Sequence, residues 1–224
     1  MGKLIVVPTP IGNLQDITAR SIEVLSNCDM IYAEDTRVTR KLLSHLGISK
    51  PLKSFHIHNE HKKLNTFLKE IEFYSNTVLV SDAGTPGISD PGFLLIRACI
   101  EKGISIETLP GPTAIIPALV GSGFPCDTFI FEGFLPHKKG RKTKLENLSE
   151  ERRTIVLFES PYRLKKLLDQ MTEFFSENRQ ICVVRELTKI HETFHRGTLQ
   201  ELKSEFADVE PRGEIVIVVK GKEK

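Results

Sequence analysis

The apolar run Thr77-Val78-Leu79-Val80 stops at twelve residues, Ser81-Asp82-Ala83-Gly84-Thr85-Pro86-Gly87-Ile88-Ser89-Asp90-Pro91-Gly92, and a helical pattern, Phe93 to Glu101, follows them. This order of strand, stiff loop and helix constrains the fold more than any other feature of the chain. A loop so placed lies at the carboxyl end of a strand, where α/β proteins bind ligands. Its glycines let backbone approach a ligand closely, and its prolines stiffen the path. A plain surface turn would share this composition. Twelve residues is nevertheless long for a bare connection, and loops of that length are disproportionately functional.

The same order recurs. Leu4 to Val7 leads into Pro8-Thr9-Pro10-Ile11-Gly12-Asn13-Leu14, and Ile104 to Leu109 into Pro110-Gly111-Pro112-Thr113 and a helical run, Ala114 to Val120. Met30 to Ala33 reads as a short strand, with Thr36 opening a helix through Leu42, Leu43 and Leu46 that Gly47 closes. Asp16 is expected to cap a helix that buries Ile17, Ser21, Val24, Leu25 and Cys28. A strand near Lys53 to His56 and a helix from about Glu60 to Phe73 complete the series. Such alternation predicts an α/β fold with a parallel sheet. If its strands are neighbours, loops 8–14, 82–92 and 110–113 gather along one edge, and that edge facing a second domain is a natural cofactor cleft.

Gly121-Ser122-Gly123-Phe124-Pro125 reads as a linker. A boundary near 118–126 gives domains 1–120 and 121–224. In the second, Thr154 to Phe158 and Ile215 to Val219 are near-continuous apolar runs, as in strands covered on both faces. Ser160 and Pro161 suit an N-cap and first helical position, ahead of Leu164, Leu167, Leu168, Met171 and Phe175 at helical spacing. Ile181 to Val184 and Thr193 to His195 are further expected strands.

Hydrophobic residues at 40% and charged ones at 27% of 224 residues suit a soluble globular protein. The net charge of +2 neither demands nor excludes nucleic acid. Cys28, Cys99, Cys126 and Cys182 form no CxxC, and three lie in or beside apolar runs. Buried thiols in a reducing cytoplasm are expected. The first apolar run is too short for a signal peptide, and no stretch approaches a membrane span.

Neither a P-loop nor GxGxxG occurs, which argues against the usual nucleotide readings. His56, His58 and His61, with Glu60, form a cluster whose spacing lacks a matching downstream ligand group, so no metal site is assigned. Glu34 and Asp35 stand where a strand feeds a helix: Asp35 or Thr36 could cap it, or the carboxylates could serve as a base. Arg37 and Arg40 could contact phosphate. The basic run His137-Lys138-Lys139-Gly140-Arg141-Lys142-Thr143-Lys144 is a solvated loop or a cationic grip on phosphates. Ser160 lacks any G-x-S-x-G context, which favours capping over nucleophilic attack. Arg185 to Glu192, dense in titratable groups, reads equally as a hairpin tip or a substrate wall.

Taken in order, these segments, with Ala33-Glu34-Asp35-Thr36-Arg37, Leu109 to Ala114, Phe131 to Pro136, Glu159 to Arg163, Arg185 to Glu192 and Gly213-Glu214-Ile215-Val216, resemble the tetrapyrrole methylase superfamily over almost the whole chain. Within it, the chain looks most like the ribosomal RNA branch. The resemblance implies a two-domain fold with a mostly parallel N-terminal sheet and a mixed C-terminal one, usually a homodimer. It implies S-adenosylmethionine bound between the domains by Pro10, Ala83, Gly84, Thr85, Ile88, Thr113 and Ala114, with Ser160, Leu187 and Gly213 from the second domain. The implied reaction is 2′-O-methylation of a cytidine ribose in 16S ribosomal RNA, on free RNA or the small ribosomal subunit. Glu34, Asp35 and His58 are the candidate bases. Arg37, Arg40, Lys138, Lys139, Arg141, Lys142 and Lys144 are the expected RNA contacts. A methylase of the same fold acting on a small molecule or protein side chain, or an RNA-binding factor without turnover, is the alternative. The segment from Ala83 to Ile88 is expected to be a cofactor platform, with acid–base chemistry in the neighbouring loops at 34–37 and 56–61. The chain ends at Lys224, directly after its last strand, where many relatives continue.

Overall fold

A computed structural model describes residues 2–209 and 211–223; of His58 and Lys62 only the backbone is included. The chain divides into two units, one up to Thr113 and one from Ala114.

In the first unit, β1 (Lys3–Val6), β2 (Met30–Ala33), β3 (Leu52–Ser54), β4 (Asn76–Val80) and β5 (Ser105–Thr108) form a sheet in the order β3-β2-β4-β1-β5. Every neighbouring pair is parallel. Between the strands run α1 (Ala19–Asn27), α2 (Thr36–His45), α3 (Ile57–Phe73) and α4 (Phe93–Glu101). Side chains of a strand alternate between faces, so Leu4 and Leu79 join Tyr32, Phe67 and Leu95 in one buried cluster. Ile5, Val78 and Val80 join Leu25, Ile31 and Leu43 in the other. This two-sided burial is why the strands read as unbroken apolar runs.

Two expected helix starts move. Asp16 ends a short 3₁₀ turn, and α1 is capped instead by Thr18, whose hydroxyl accepts from the Ser21 N–H at 3.0 Å. Helix α3 begins at Ile57, three residues before Glu60. Glu60 therefore lies inside the first turn and is buried.

The second unit holds α5 (Ile115–Ser122), β6 (Phe129–Phe134), α6 (Arg141–Ser149), β7 (Thr154–Glu159), α7 (Pro161–Met171), β8 (Gln180–Arg185), β9 (Thr193–Thr198), α8 (Leu199–Glu205) and β10 (Ile215–Val219). Its sheet runs β6-β7-β10-β8-β9 and is mixed: β6 and β7 are parallel, and the other pairs antiparallel. Gly121 and Ser122, which had the composition of a linker, are the last residues of α5. The helix stays with this unit, tied to β9 by the Arg196 guanidinium, whose Nε donates to the Gly121 carbonyl at 3.1 Å.

Candidate functional site

Strand order places the first unit's loops. From β1 the chain crosses β4 to reach β2, and from β4 it crosses β1 to reach β5. The connections leaving the adjacent strands β1 and β4 thus depart in opposite directions, which opens a crevice at the carboxyl edge between them. At that point the two loops are joined. The Thr9 N–H donates to the Gly84 carbonyl and the Gly84 N–H to the Thr9 carbonyl, each at 2.9 Å. Thr9, itself buried, also donates its hydroxyl to the Ser81 carbonyl at 3.0 Å.

The loop after β5 closes on the same group. Thr85 donates its hydroxyl to the Pro112 carbonyl at 3.5 Å. Gly111 passes so near Pro8 that a Cβ there would lie 2.8 Å from the proline Cβ. Loops 8–14, 81–92 and 110–113 therefore form one platform. Ala83 and Ile88 are exposed, Pro10, Thr85 and Thr113 half-buried, and Gly84 is buried. None of the three loops contains Lys or Arg. Such a surface sets no side-chain cation against a ligand and accepts one of positive or no charge, as a sulfonium would be.

Carboxylates gather beside it. The register pairing Ala33 with Val80 carries Glu34 and Asp35 alongside Ser81 and Asp82. Asp82 Oδ1 accepts from the Asp35 N–H at 2.9 Å, and the Asp82 N–H points at Glu34 Oε2 at 3.5 Å. Burial, then the charge of Asp82, pushes the Glu34 carboxyl up from its ordinary value. Asp82 is raised in the same sense by burial and by Asp35. Asp90 is raised to about 6, mainly by burial and further by Glu34 and Asp82, with a hydrogen bond from Ser81 opposing. His56 lies near enough to Glu34 to favour its charged form. Glu34 and Asp90 are groups whose proton affinity is brought toward neutrality, as a general base requires.

Asp35 differs. Its Oδ1 caps α2 by accepting from the Arg37 N–H at 2.8 Å, and its carboxylate pairs with the Arg37 guanidinium at 2.6 Å. That pair holds its pKa at about 2, too low for a base near neutral pH. The capping role of Asp35 is the one the geometry favours. The side chain of His58 lies outside the described residues. His61 is exposed, and among the described residues no three His, Cys, Asp or Glu side chains are placed to hold a metal. Arg37 and Arg40 are exposed on α2.

The second unit revises the basic run. Arg141 is 5% exposed. It donates to Glu159 Oε2 at 3.0 Å, Gln170 Oε1 at 2.8 Å and the Pro136 carbonyl at 3.3 Å, so it is a core residue and not an RNA contact. The run is no single loop either, because α6 begins at Arg141. Lys144 pairs with Glu132 at 2.6 Å, and Lys142 with Glu173 at 3.6 Å. Lys138 and Lys139 are exposed. Ser160 is the N-cap residue of α7 without a side-chain cap bond, and its N–H donates to Glu159 Oε1 at 2.9 Å.

Leu187 is buried, between Glu186 at φ 52° and Thr188 at φ 67°, a left-handed backbone unusual for such residues. Gly213 at φ 91° meets this segment: a Cβ there would fall 2.1 Å from Glu186 Oε1. Glu186 in turn accepts from Lys189 at 2.8 Å and from the Glu214 N–H at 2.9 Å. Strain held in place by a bonded network is a mark of functional segments.

Asp82 and Asp90 were not singled out from the sequence as chemical groups, because their loop read as a backbone platform. No local sequence signal marks them, because it is the pairing of β2 with β4 that sets Asp82 against Asp35.

The chain matches the tetrapyrrole (corrin/porphyrin) methylases over residues 3–203. It is 48% identical to a ribosomal RNA small subunit methyltransferase I of Synechocystis, over 99% of this chain and 80% of that protein. To the protein of that name from Thermotoga maritima it is 47% identical over the full length of both. Among solved structures, a cobalt precorrin-4 methyltransferase of cobalamin biosynthesis superposes with a TM-score of 0.72 at 20% identity, covering 97% of this chain and 94% of the other. A diphthine synthase superposes with 0.71 at 12% identity, covering 97% and 90%. These last two share the fold.

Proposed function

The chain belongs to the tetrapyrrole methylase family, and from that premise we propose that it methylates the 2′-hydroxyl of a cytidine in 16S ribosomal RNA, with S-adenosylmethionine as donor. The observation that carries this reading is near-half identity along the entire chain to proteins named ribosomal RNA small subunit methyltransferase I. The joined, lysine- and arginine-free loops at the carboxyl edge of β1, β4 and β5 fit a donor with a cationic sulfonium and no phosphate.

When bound, S-adenosylmethionine supplies an electrophilic methyl group and a neutral thioether leaving group. The protein contributes positioning, which on the scale of proximity effects lowers a barrier by about 7–11 kcal/mol at best. In this reading Pro10, the backbone of 83–88 and Thr113 would hold the donor, and the family resemblance adds Ala114, Ser160, Leu187 and Gly213. A carboxylate of this chain would take the proton that the ribose hydroxyl gives up on methylation. Glu34 and Asp90 suit that step best, being raised toward neutrality and adjacent to the platform. Arg37, Arg40, Lys138 and Lys139 meet phosphates of the substrate strand.

The family resemblance supports a homodimer, and a ribosomal substrate supports a cytoplasmic location; among the described residues no helix is long and apolar enough to cross a membrane. Incubation with methyl-labelled S-adenosylmethionine and small subunits lacking the modification tests the reading. Label on a cytidine 2′-oxygen of 16S RNA is the expected result. Label on a small molecule or a protein side chain, with the RNA unlabelled, overturns it.

A further inference from the structure

The segments that follow β6 and β7 at their carboxyl ends carry exposed aromatic rings and exposed cations. Tyr162, in the first turn of α7, is 94% exposed, and Phe134, the last residue of β6, is 54% exposed. A buried charge network holds the two segments together. The Glu159 carboxylate, with its side chain fully buried, pairs with Arg141 through one oxygen at 3.0 Å and with Arg163 through the other at 2.7 Å. Arg163 reaches back to His137, its Nη1 2.8 Å from the imidazole Nδ1. The connection from β6 to α6 is thereby fastened to the start of α7, from both its ends.

This fastening sorts the basic run. Arg141 is consumed inside, and Lys142 and Lys144 are paired on α6 with Glu173 and Glu132. Lys138 and Lys139 remain exposed on the fastened connection, and among the described residues no carboxylate pairs with either. Aromatic faces next to uncompensated cations are the combination that binds single-stranded nucleic acid, bases stacking on rings and phosphates meeting cations. Duplex RNA keeps its bases stacked within the helix and offers the protein's rings no free base face.

We propose that Tyr162, Phe134, Lys138 and Lys139 form a stacking platform for unpaired nucleotides of the RNA substrate strand. This rests on the ribosomal RNA reading above and adds to it that the substrate strand is received single-stranded. Bases lie on the Tyr162 and Phe134 rings. Lys138 and Lys139 neutralise the phosphates between them.

The test measures binding of a fluorescein-labelled twelve-nucleotide single-stranded RNA and of a duplex of equal length by anisotropy, across a salt series. Tyr162→Ala is expected to weaken single-strand binding about tenfold, and Tyr162→Phe to retain it, because stacking needs the ring and not the hydroxyl. The double substitution Lys138→Ala with Lys139→Ala is expected to lower the slope of log affinity against log salt by about 1.4, at roughly 0.7 for each phosphate no longer neutralised. Calorimetric titration with S-adenosylmethionine is expected to give the same affinity for Tyr162→Ala as for wild type, which shows the variant folded. Equal single-strand binding by Tyr162→Ala and wild type overturns the platform while ribosomal RNA methylation stands. So does tighter binding of the duplex than of the single strand. Wild-type protein that binds neither RNA and methylates no small subunit overturns both readings.

Discussion

Glu60 of α3 accepts a hydrogen bond from the backbone N–H of Gly92 at 3.2 Å, and the same oxygen takes those of Leu94 at 3.1 Å and Leu95 at 3.3 Å. A helix normally meets this need with a Ser, Thr, Asp or Asn at its own N-cap. Here the N-cap is Gly92, which has no side chain, and a carboxylate from a distant helix supplies the acceptor and complements the positive end of the helix dipole. Glu60→Ala would leave these N–H groups, largely out of reach of water, without an acceptor. The expected loss is about 1–3 kcal/mol of stability by urea denaturation. Affinity for S-adenosylmethionine should fall as well, because the cap fixes the end of loop 81–92. Glu60→Gln, which keeps a carbonyl oxygen, should recover most of both.

Asp90 makes stability depend on pH. Its carboxyl is raised from 3.8 to about 6 by burial and by the charges of Glu34 and Asp82. The folded state then holds the proton more tightly than the unfolded chain does. Stability from this group is complete below pH 3.8 and is lost as pH rises through about 6. Asp90→Asn should therefore raise stability at pH 8 by about 1–2 kcal/mol, allowing for solvent screening, and leave it unchanged at pH 3.5. Thermal melts at the two pH values measure the difference.

The same titration should govern the rate. If Asp90 or Glu34 takes the ribose proton, kcat/KM falls on the acid side as the carboxylate protonates. Glu34→Gln and Asp90→Asn are then expected to reduce single-turnover methyl transfer, by about 10²-fold or more for whichever residue is the base. Equal and small losses for both would assign the proton to another acceptor.

Gly111→Ala brings a methyl group into the Pro8 ring, at 2.8 Å from its Cβ. Both partners belong to stiff segments, so the clash is relieved by separating loops 8–14 and 110–113. Calorimetry should find S-adenosylmethionine binding weakened about tenfold or more, with a stability loss of about 1–3 kcal/mol.

Arg141 and Lys138 are three residues apart and should behave oppositely. Arg141→Ala removes one partner of the buried Glu159 carboxylate and the donors to Gln170 and Pro136. A cost of about 3 kcal/mol or more is expected. Lys138→Ala should stay within about 0.5 kcal/mol of wild type. Paired denaturation curves decide whether the basic run is one functional unit or two.

The first unit was the more legible part of the fold. Unbroken apolar runs such as Val78 to Val80 mark strands covered on both faces, and the loops after them stand out by composition. Local signals misplaced the start of α1, because Asp16 and Thr18 are both good caps and only the turn at 14–16 chooses between them. Gly121 and Gly123 read as a linker, since nothing near them in sequence announces the Arg196 contact. In the site, the loops were visible but the carboxylates within them were not, because their pairing depends on strand order. Arg141 was misread for the related reason that its partners Glu159 and Gln170 are remote in sequence. Charge in a run of lysines suggests solvent, and only the packed structure shows which member turns inward.

The double hydrogen bond between Thr9 and Gly84 has a kinetic consequence. Loops that leave separate strands can ordinarily fluctuate open one at a time, each at its own small cost. Tied at both carbonyls, these two can part only together, and each opening breaks two bonds at once. Their amide hydrogens should exchange with solvent with a common protection factor, high for loop residues. A ligand seated across the clasp would slow both equally, so protection at Thr9 reports occupancy at Gly84.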